Sequence, residues 1–221
     1  MSARGKKRVA ILISGRGSNM VALLDAARDP AFPADIVLVA SNRPDAAGLA
    51  HAKTAGIPTV SIDHTAYGRD RAAFDAAMNA VLVEHDVELV CLAGFLRLLT
   101  PGFVEAWSGR MINVHPALLP SFKGLDTHAR ALEAGVKIHG ATVHFVSSEM
   151  DAGAIIVQGA VPVLDADTED ALAARVLAVE HAIYPMALGW VASGRARLNG
   201  QRVTLEAQAA VTAGTLIWPA G

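Results

Sequence analysis

Five short apolar runs, at 9–14, 36–40, 59–62, 89–92 and 111–115, alternate with stretches whose apolar residues recur at helical spacing. This alternation restricts the fold more than any other feature of the chain. The first run, ending at Ile13 and Ser14, has no polar face, as a strand covered on both sides requires. Helical patterns follow at Met20, Leu23, Leu24 and Ala27, then at 46–55, and then over the Ala-rich 69–85. Strands separated by helices pair in parallel through right-handed crossovers. The expected fold class is therefore α/β, a Rossmann-like, doubly wound, mostly parallel sheet.

The second half changes style. Thr100 and Pro101 open a helix, and 127–133 reads as a short helix ending at Gly135. The β-rich runs 139–146 and 155–163 are separated by an eight-residue loop that suits antiparallel strands, so the sheet is expected to end in an antiparallel C-terminal part. Residues 168–190 form a long helical pattern, with Thr168, Glu169 and Asp170 suited to its N-terminus and Pro185 as a point of kink or shift. Asn199-Gly200 is a small hairpin signal. No repeat, low-complexity segment or linker divides the chain, so one domain over 1–221 is expected.

With 52% hydrophobic residues, 221 residues can bury a substantial core. A formal net charge of -2 argues against a general nucleic-acid binder, whose surface would be basic. Cys91 stands alone in an apolar run and reads as a buried thiol, which fits a reducing compartment. Lys6, Lys7 and Arg8 imitate the start of a signal peptide, but the apolar run after them stops at Ser14-Gly15. No apolar stretch is expected to approach the roughly 20 residues of a membrane span. A soluble, cytoplasmic protein is expected.

Two stretches carry chemistry. Gly15-Arg16-Gly17-Ser18-Asn19 joins the first strand to the first helix, where free N–H groups and the positive end of the helix dipole favour an anion. It is neither a Walker A loop nor a full GxGxxG, and a tight turn with Ser18 or Asn19 as helix cap explains it equally well. Met111 to Pro120 is a strand running into a Pro-bounded loop. Asn113 and His115 are two apart on that strand and so share a face at its end, where open α/β sheets place their sites. An amide donor and a group that titrates near neutrality can steady an oxyanion and move a proton. A carboxylate partner is needed, and spacing alone leaves Asp151 and Glu149 nearly equal. His51, His64 and His85 receive no role. His139 and His144 are five apart on a strand, face opposite ways and cannot share a metal; no Cys/His spacing suits zinc, and no metal is expected.

The order and spacing of SGRGSN (14–19), LAGFLRLL (92–99), INVHPALLP (112–120), FKGLDTH (122–128), HGATVHFV (139–146), DAG (151–153) and EHAIYP (180–185) closely resemble the phosphoribosylglycinamide formyltransferase (glycinamide ribonucleotide transformylase) family, the folate-dependent formyltransferases of purine synthesis. The resemblance covers about 9–204. It implies transfer of a formyl group from 10-formyltetrahydrofolate, a co-substrate, to the glycine amine of glycinamide ribonucleotide through a tetrahedral intermediate. It implies His115 as general acid/base, Asn113 as the holder of the formyl oxygen, and Asp151, over Glu149, as the carboxylate paired with the histidine. It gives the nucleotide phosphate to Gly17, Ser18 and Asn19, and the ribose to Glu180. Folate would meet Leu96, Arg97, Leu98 and Leu99, with Asn113, and then Ser147, Ser148, Glu149, Met150 and Asp151. Arg71 aligns with a contact to the folate tail, against a plain reading as a solvated helix face. The halves become a nucleotide-binding 9–116 and a folate-binding, catalytic 117–205, with a tail at 206–221.

Departures are small. Ala152 stands where the family often has glycine, which bears on the freedom of the folate loop. Leu177 replaces a residue that is polar in some relatives. Small-molecule partners are implied, without nucleic acid or membrane, and a homodimer is left open. The rivals are a formyltetrahydrofolate hydrolase, which carries an added N-terminal domain, another formyltransferase such as the methionyl-tRNA enzyme, which carries a C-terminal tRNA-binding domain, and a non-catalytic sensor of a phosphorylated ligand. A sensor has no need of the acid/base pair.

Overall fold

The structure is a computed structural model that describes residues 5–206. The tail from 207, for which the sequence offers no reading, lies outside them. Seven strands make one sheet: β1 (Lys7–Ile13), β2 (Ala34–Ser41), β3 (Thr59–Ser61), β4 (Leu89–Leu92), β5 (Met111–His115), β6 (Ile138–Phe145) and β7 (Ile155–Pro162). Their order is β3-β2-β1-β4-β5-β6-β7. The first five are parallel; β6 runs antiparallel to β5, and β7 to β6. β8 (Ala196–Asn199) and β9 (Arg202–Leu205) form a separate antiparallel pair. Its turn falls on Gly200-Gln201, one residue later than expected, with Gly200 at φ 59°. The chain steps outward from β1 to β3 and then returns to place β4 on the other side of β1. The crevice at the carboxyl ends of β1 and β4 is the switch point where ligands bind in such sheets.

Helices cover both faces, and the alternation along β1 shows how. Val9, Ile11 and Ile13 join one core, with residues of α1 (Ser18–Ala27), α2 (Gly48–Thr54), α5 (Thr127–Glu133) and α6 (Glu169–Ala192). Ala10 and Leu12 join the other, with Phe74, Met78 and Leu82 of α3 (Arg71–Glu84) and Phe103 and Val104 of α4 (Pro101–Ala106). Caps set the helix starts. Asp70 accepts from Ala73 N, Thr100 from Phe103 N with Pro101 at the first position, and Thr168 from Ala171 N. A short 3-10 helix at His64–Tyr67, which periodicity did not suggest, follows Asp63, whose carboxylate accepts from Thr65 N.

The long helix corrects one expectation. By length and composition α6 is apolar enough to cross a membrane. In the fold it is a core helix: Leu172, Val176, Ile183, Tyr184, Ala187 and Leu188 are buried against the sheet, and so is Glu180. Pro185 does not end it; the helix runs on to Ala192. The Tyr184 hydroxyl lies within reach of two carbonyls on neighbouring strands, Leu92 O at 3.0 Å and Ile112 O at 3.2 Å. Cys91 is fully buried beside it, and burial pushes its thiol pKa up to about 12.

Candidate active site

Strand alternation carries Met111 into the α3–α4 core and sends Asn113 and His115 to the same side at the end of β5. The antiparallel register sets Asn113 opposite His144 and His115 opposite Thr142. Directly opposed residues on one face are close enough to bond. Asn113 Nδ2 lies 3.3 Å from His144 Nε2. The His144 Nδ1–H donates to the Phe145 carbonyl at 2.9 Å, which leaves Nε2 as the acceptor for the Asn113 amide. Burial pushes the His144 pKa down, partly opposed by that carbonyl and by Asp151. Sequence reasoning missed His144; the even spacing from Thr142 on β6 was the available signal.

His115 is 6% exposed. Its Nδ1 lies 3.5 Å from Asp151 Oδ2, and its Nε2 lies 3.0 Å from the Phe122 carbonyl. Each ring nitrogen thus faces an oxygen that only accepts. The ring can make both bonds as an imidazolium and one as a neutral imidazole. Asp151 adopts a left-handed backbone (φ 51°), and its Oδ2 also accepts from Gly124 N at 2.8 Å, while its Oδ1 lies 4.0 Å from His144 Nε2. Phe122 (φ 54°) and Asp126 (φ 55°) are left-handed too. Two of these, Phe122 and Asp151, contact His115 directly, each in a conformation costing about 1–2 kcal/mol. The Pro-bounded loop after β5 is stapled from behind: the Thr142 hydroxyl donates to Ala117 O, and Gln158 Nε2 donates to Leu119 O. Glu149 instead pairs with Lys123 at 3.0 Å.

The glycine loop departs from one reading. Neither Ser18 nor Asn19 caps α1. Gly17 is the cap residue, left-handed at φ 77°, and no side chain closes the first turn. A Cβ there would meet Gly48 Cα and Met20 at 3.1 Å, so glycine is needed for space as well as for φ. The first-turn N–H groups remain for a ligand. Asn19 Nδ2 donates to Glu180 Oε2 at 2.6 Å, which joins two residues expected on the same substrate. Burial raises the Glu180 pKa, and the Asn19 amide moderates the rise.

The expected folate residues divide. Leu96 and Leu98 are 74% and 60% exposed, while Leu99 packs against the α3–α4 core. The Arg97 guanidinium stacks 4.3 Å over the Phe74 ring, with Nε and Nη2 buried and unbonded among the described residues. Arg71 is exposed in the first turn of α3, three residues before Phe74 and on the same face. Ser147, Ser148 and Glu149 line a cavity of about 580 Å³ with Val104 of α4 and Gln201 of the β8–β9 turn. Leu96–Leu99 do not line it, and Met150 is exposed. Ala152, for all its expected effect on loop freedom, takes no left-handed φ; that burden falls on Asp151. Glycine is required next door at Gly153, where a Cβ would lie 1.7 Å from the Phe145 carbonyl. Among the described residues no three His, Cys, Asp or Glu side chains converge as a metal site would need.

The formyl transferase family matches residues 7–188. The chain is 54% identical to the bovine trifunctional purine biosynthetic protein adenosine-3 over 88% of its own length, and spans 19% of that relative. It is 42% identical to phosphoribosylglycinamide formyltransferase of Escherichia coli, covering 90% of this chain and 94% of that one. The crystal structure of glycinamide ribonucleotide transformylase 1 from Symbiobacterium toebii superposes with a TM-score of 0.88 at 46% identity, covering 91% and 95% of the two chains. An amide, an imidazole and a carboxylate meeting at the end of β5, in a chain matched over this length, lead to one statement: the chain belongs to the formyl transferase family.

Proposed function

We propose that this chain transfers the formyl group of 10-formyltetrahydrofolate to the glycine amine of glycinamide ribonucleotide, giving formylglycinamide ribonucleotide and tetrahydrofolate in purine biosynthesis. The observation that carries the reading is the convergence of Asn113, His115 and Asp151 at one strand end, in a chain whose full-length bacterial relative bears the name of that transferase.

The amine nitrogen bonds to the formyl carbon, and the carbonyl oxygen takes up negative charge. Asn113 has one N–H committed to His144 and a second left for that oxygen. His115, as an imidazolium whose Nδ1–H stays on Asp151, supplies the other stabilising proton from Nε2, which exchanges the Phe122 carbonyl for the substrate oxygen. As the bond from the formyl carbon to the folate nitrogen breaks, the His115 imidazolium gives its proton to that nitrogen, and the resulting neutral imidazole takes up the proton released by the attacking amine. The chemistry needs no metal, because one oxyanion is all that develops.

Gly17, Ser18 and Asn19 bind the nucleotide phosphate, supported by the uncapped first turn of α1. Glu180 binds the ribose, supported by its bond to Asn19. The formyl folate lies along Leu96, Arg97, Leu98 and Leu99 and the loop Ser147, Ser148, Glu149, Met150 and Asp151, supported by the exposed leucines and the buried, unbonded guanidinium. Arg71 reaches its anionic tail. The enzyme acts on small molecules, in the cytoplasm.

The test is a formyl-transfer assay with both substrates and a water-only control. Formylglycinamide ribonucleotide and tetrahydrofolate should form in equal amounts, with little formate released in the control. Formate release that is unaffected by glycinamide ribonucleotide would make the chain a hydrolase, and no turnover of either kind would leave a sensor.

A further inference from the structure

The loop 94–100, which the reading above gives to the formyl donor, is fixed by buried polar groups outside that reading. Ser14 follows β1 directly, at the switch point beside β4. Its N–H donates to Gly94 O at 3.1 Å. The Leu96 N–H donates to Ser14 Oγ at 2.8 Å, and the Ser14 hydroxyl donates in turn to Asn42 Oδ1 at 2.6 Å. Ser14 and Asn42 are each 3% exposed. Asn42 is held through its own carbonyl, which accepts from His64 N at 3.2 Å and lies 2.8 Å from His64 Nδ1. At the loop's other end the Thr100 N–H donates to the buried Asp75 Oδ2 at 2.6 Å.

The backbone is thus pinned at both ends, yet two of its apolar side chains, Leu96 and Leu98, stand mostly in solvent. Those two side chains do not anchor the loop; Phe95, Leu99 and Arg97 pack inward, and the hydrogen bonds fix the backbone between them. A hydroxyl buried this deeply costs free energy unless bonded, and here one donor and one acceptor position are both used. The core needs only a small residue at this point, so the hydroxyl serves the loop. A platform fixed before the ligand arrives spares the ligand the entropy of ordering it.

We propose that Ser14, its hydroxyl aimed by Asn42, is a positioning residue for the formyl-donor site. It acts through the Leu96 amide and touches neither substrate. The proposal rests on the function proposed above. The tie between the end of β1 and Gly94 O is made by the Ser14 backbone N–H, which a substitution of the side chain leaves in place, so the hydroxyl serves the 94–100 loop alone.

The test compares Ser14→Ala and Ser14→Thr with wild type. Losing the acceptor for a buried N–H should raise KM for 10-formyltetrahydrofolate about five- to thirtyfold. The kcat at saturation and KM for glycinamide ribonucleotide should stay within about twofold, and Ser14→Thr, which keeps the hydroxyl, should return the folate KM toward wild type. Amide hydrogen exchange at Leu96 should quicken in Ser14→Ala alone. An unchanged folate KM, an equal rise in both KM values, or a fall in kcat alone would overturn the proposal. If Ser14→Ala does not fold, Asn42→Ala frees the hydroxyl to turn and should raise the folate KM in the same direction; no rise there also overturns it. A wild-type protein that transfers no formyl group refutes the proposed function, and the clamp is then judged by Leu96 exchange together with equilibrium binding of tetrahydrofolate.

Discussion

His144 decides what Asn113 can do. A free asparagine amide would rotate between several partners, but this one has an N–H fixed on a ring nitrogen whose other nitrogen is committed to a backbone carbonyl. The amide is therefore oriented before substrate arrives, as stabilisation of a developing charge requires. Glu180 shows the opposite arrangement, a group placed at a cost. It is 6% exposed, and burial raises its pKa above the usual carboxylate value. A carboxylate whose folded pKa is raised destabilises the fold while it is charged. That penalty is present above the folded pKa and is relieved as pH falls through it toward the unfolded value. Glu180→Gln keeps an acceptor for Asn19 and removes the charge. The expected outcome at pH 7 is a melting temperature equal to or above wild type, with the difference shrinking as pH is lowered toward 4.5, and a nucleotide Kd at least fivefold weaker. Thermal melts across pH and calorimetry of nucleotide binding check both parts; a large loss of stability at pH 7 would show that the fold stabilises the charge rather than being destabilised by its burial.

At the scale of elements, Tyr184 ties α6 to the middle of the sheet. Its hydroxyl reaches carbonyls on β4 and β5, the strands that lead into the 94–100 loop and carry Asn113 and His115. Tyr184→Phe leaves the packing and removes that tie, and should cost about 1–3 kcal/mol in denaturant unfolding while transfer activity at 25 °C changes less than threefold. The strands were legible in the sequence because buried parallel strands admit no polar face, and the caps Thr100 and Thr168 because only a few side chains can serve there. Asn113 and His115 were legible for a related reason, since a period of two puts them together whatever the rest of the chain does. The loops were not. Spacing left Asp151 and Glu149 nearly equal, and what separates them is a left-handed turn that brings one to His115 while the other reaches Lys123. Gly153 owes its identity to a carbonyl eight residues upstream, and His144 its place to strand pairing. Both depend on contacts between segments, which a local pattern does not encode. The apolar α6 passes for a membrane span by length and composition alone, because a helix that buries one face against its own sheet draws on the same apolar residues as one facing lipid.

For the molecule as a whole, sheet order accounts for the site. The return of the chain from β3 to β4 opens the crevice beside β1. The reversal from β5 into β6 sets the start of the 147–154 loop beside Met111, at the amino end of β5, and the loop folds back so that Asp151 reaches His115 at the other end. One side of the crevice is the glycine loop and the other the 94–100 loop; on the function proposed above, these hold the two reactants against one another, and little is asked of Asn113 and His115 beyond a proton and an oxyanion partner. The most direct test is the single-turnover rate of formyl transfer by His115→Ala with both substrates saturating and nucleotide binding measured in parallel. The rate should fall roughly 10²–10⁴-fold while the nucleotide Kd stays within about twofold. An undiminished rate would remove His115 from the mechanism and with it the reading of this strand end as the catalytic centre.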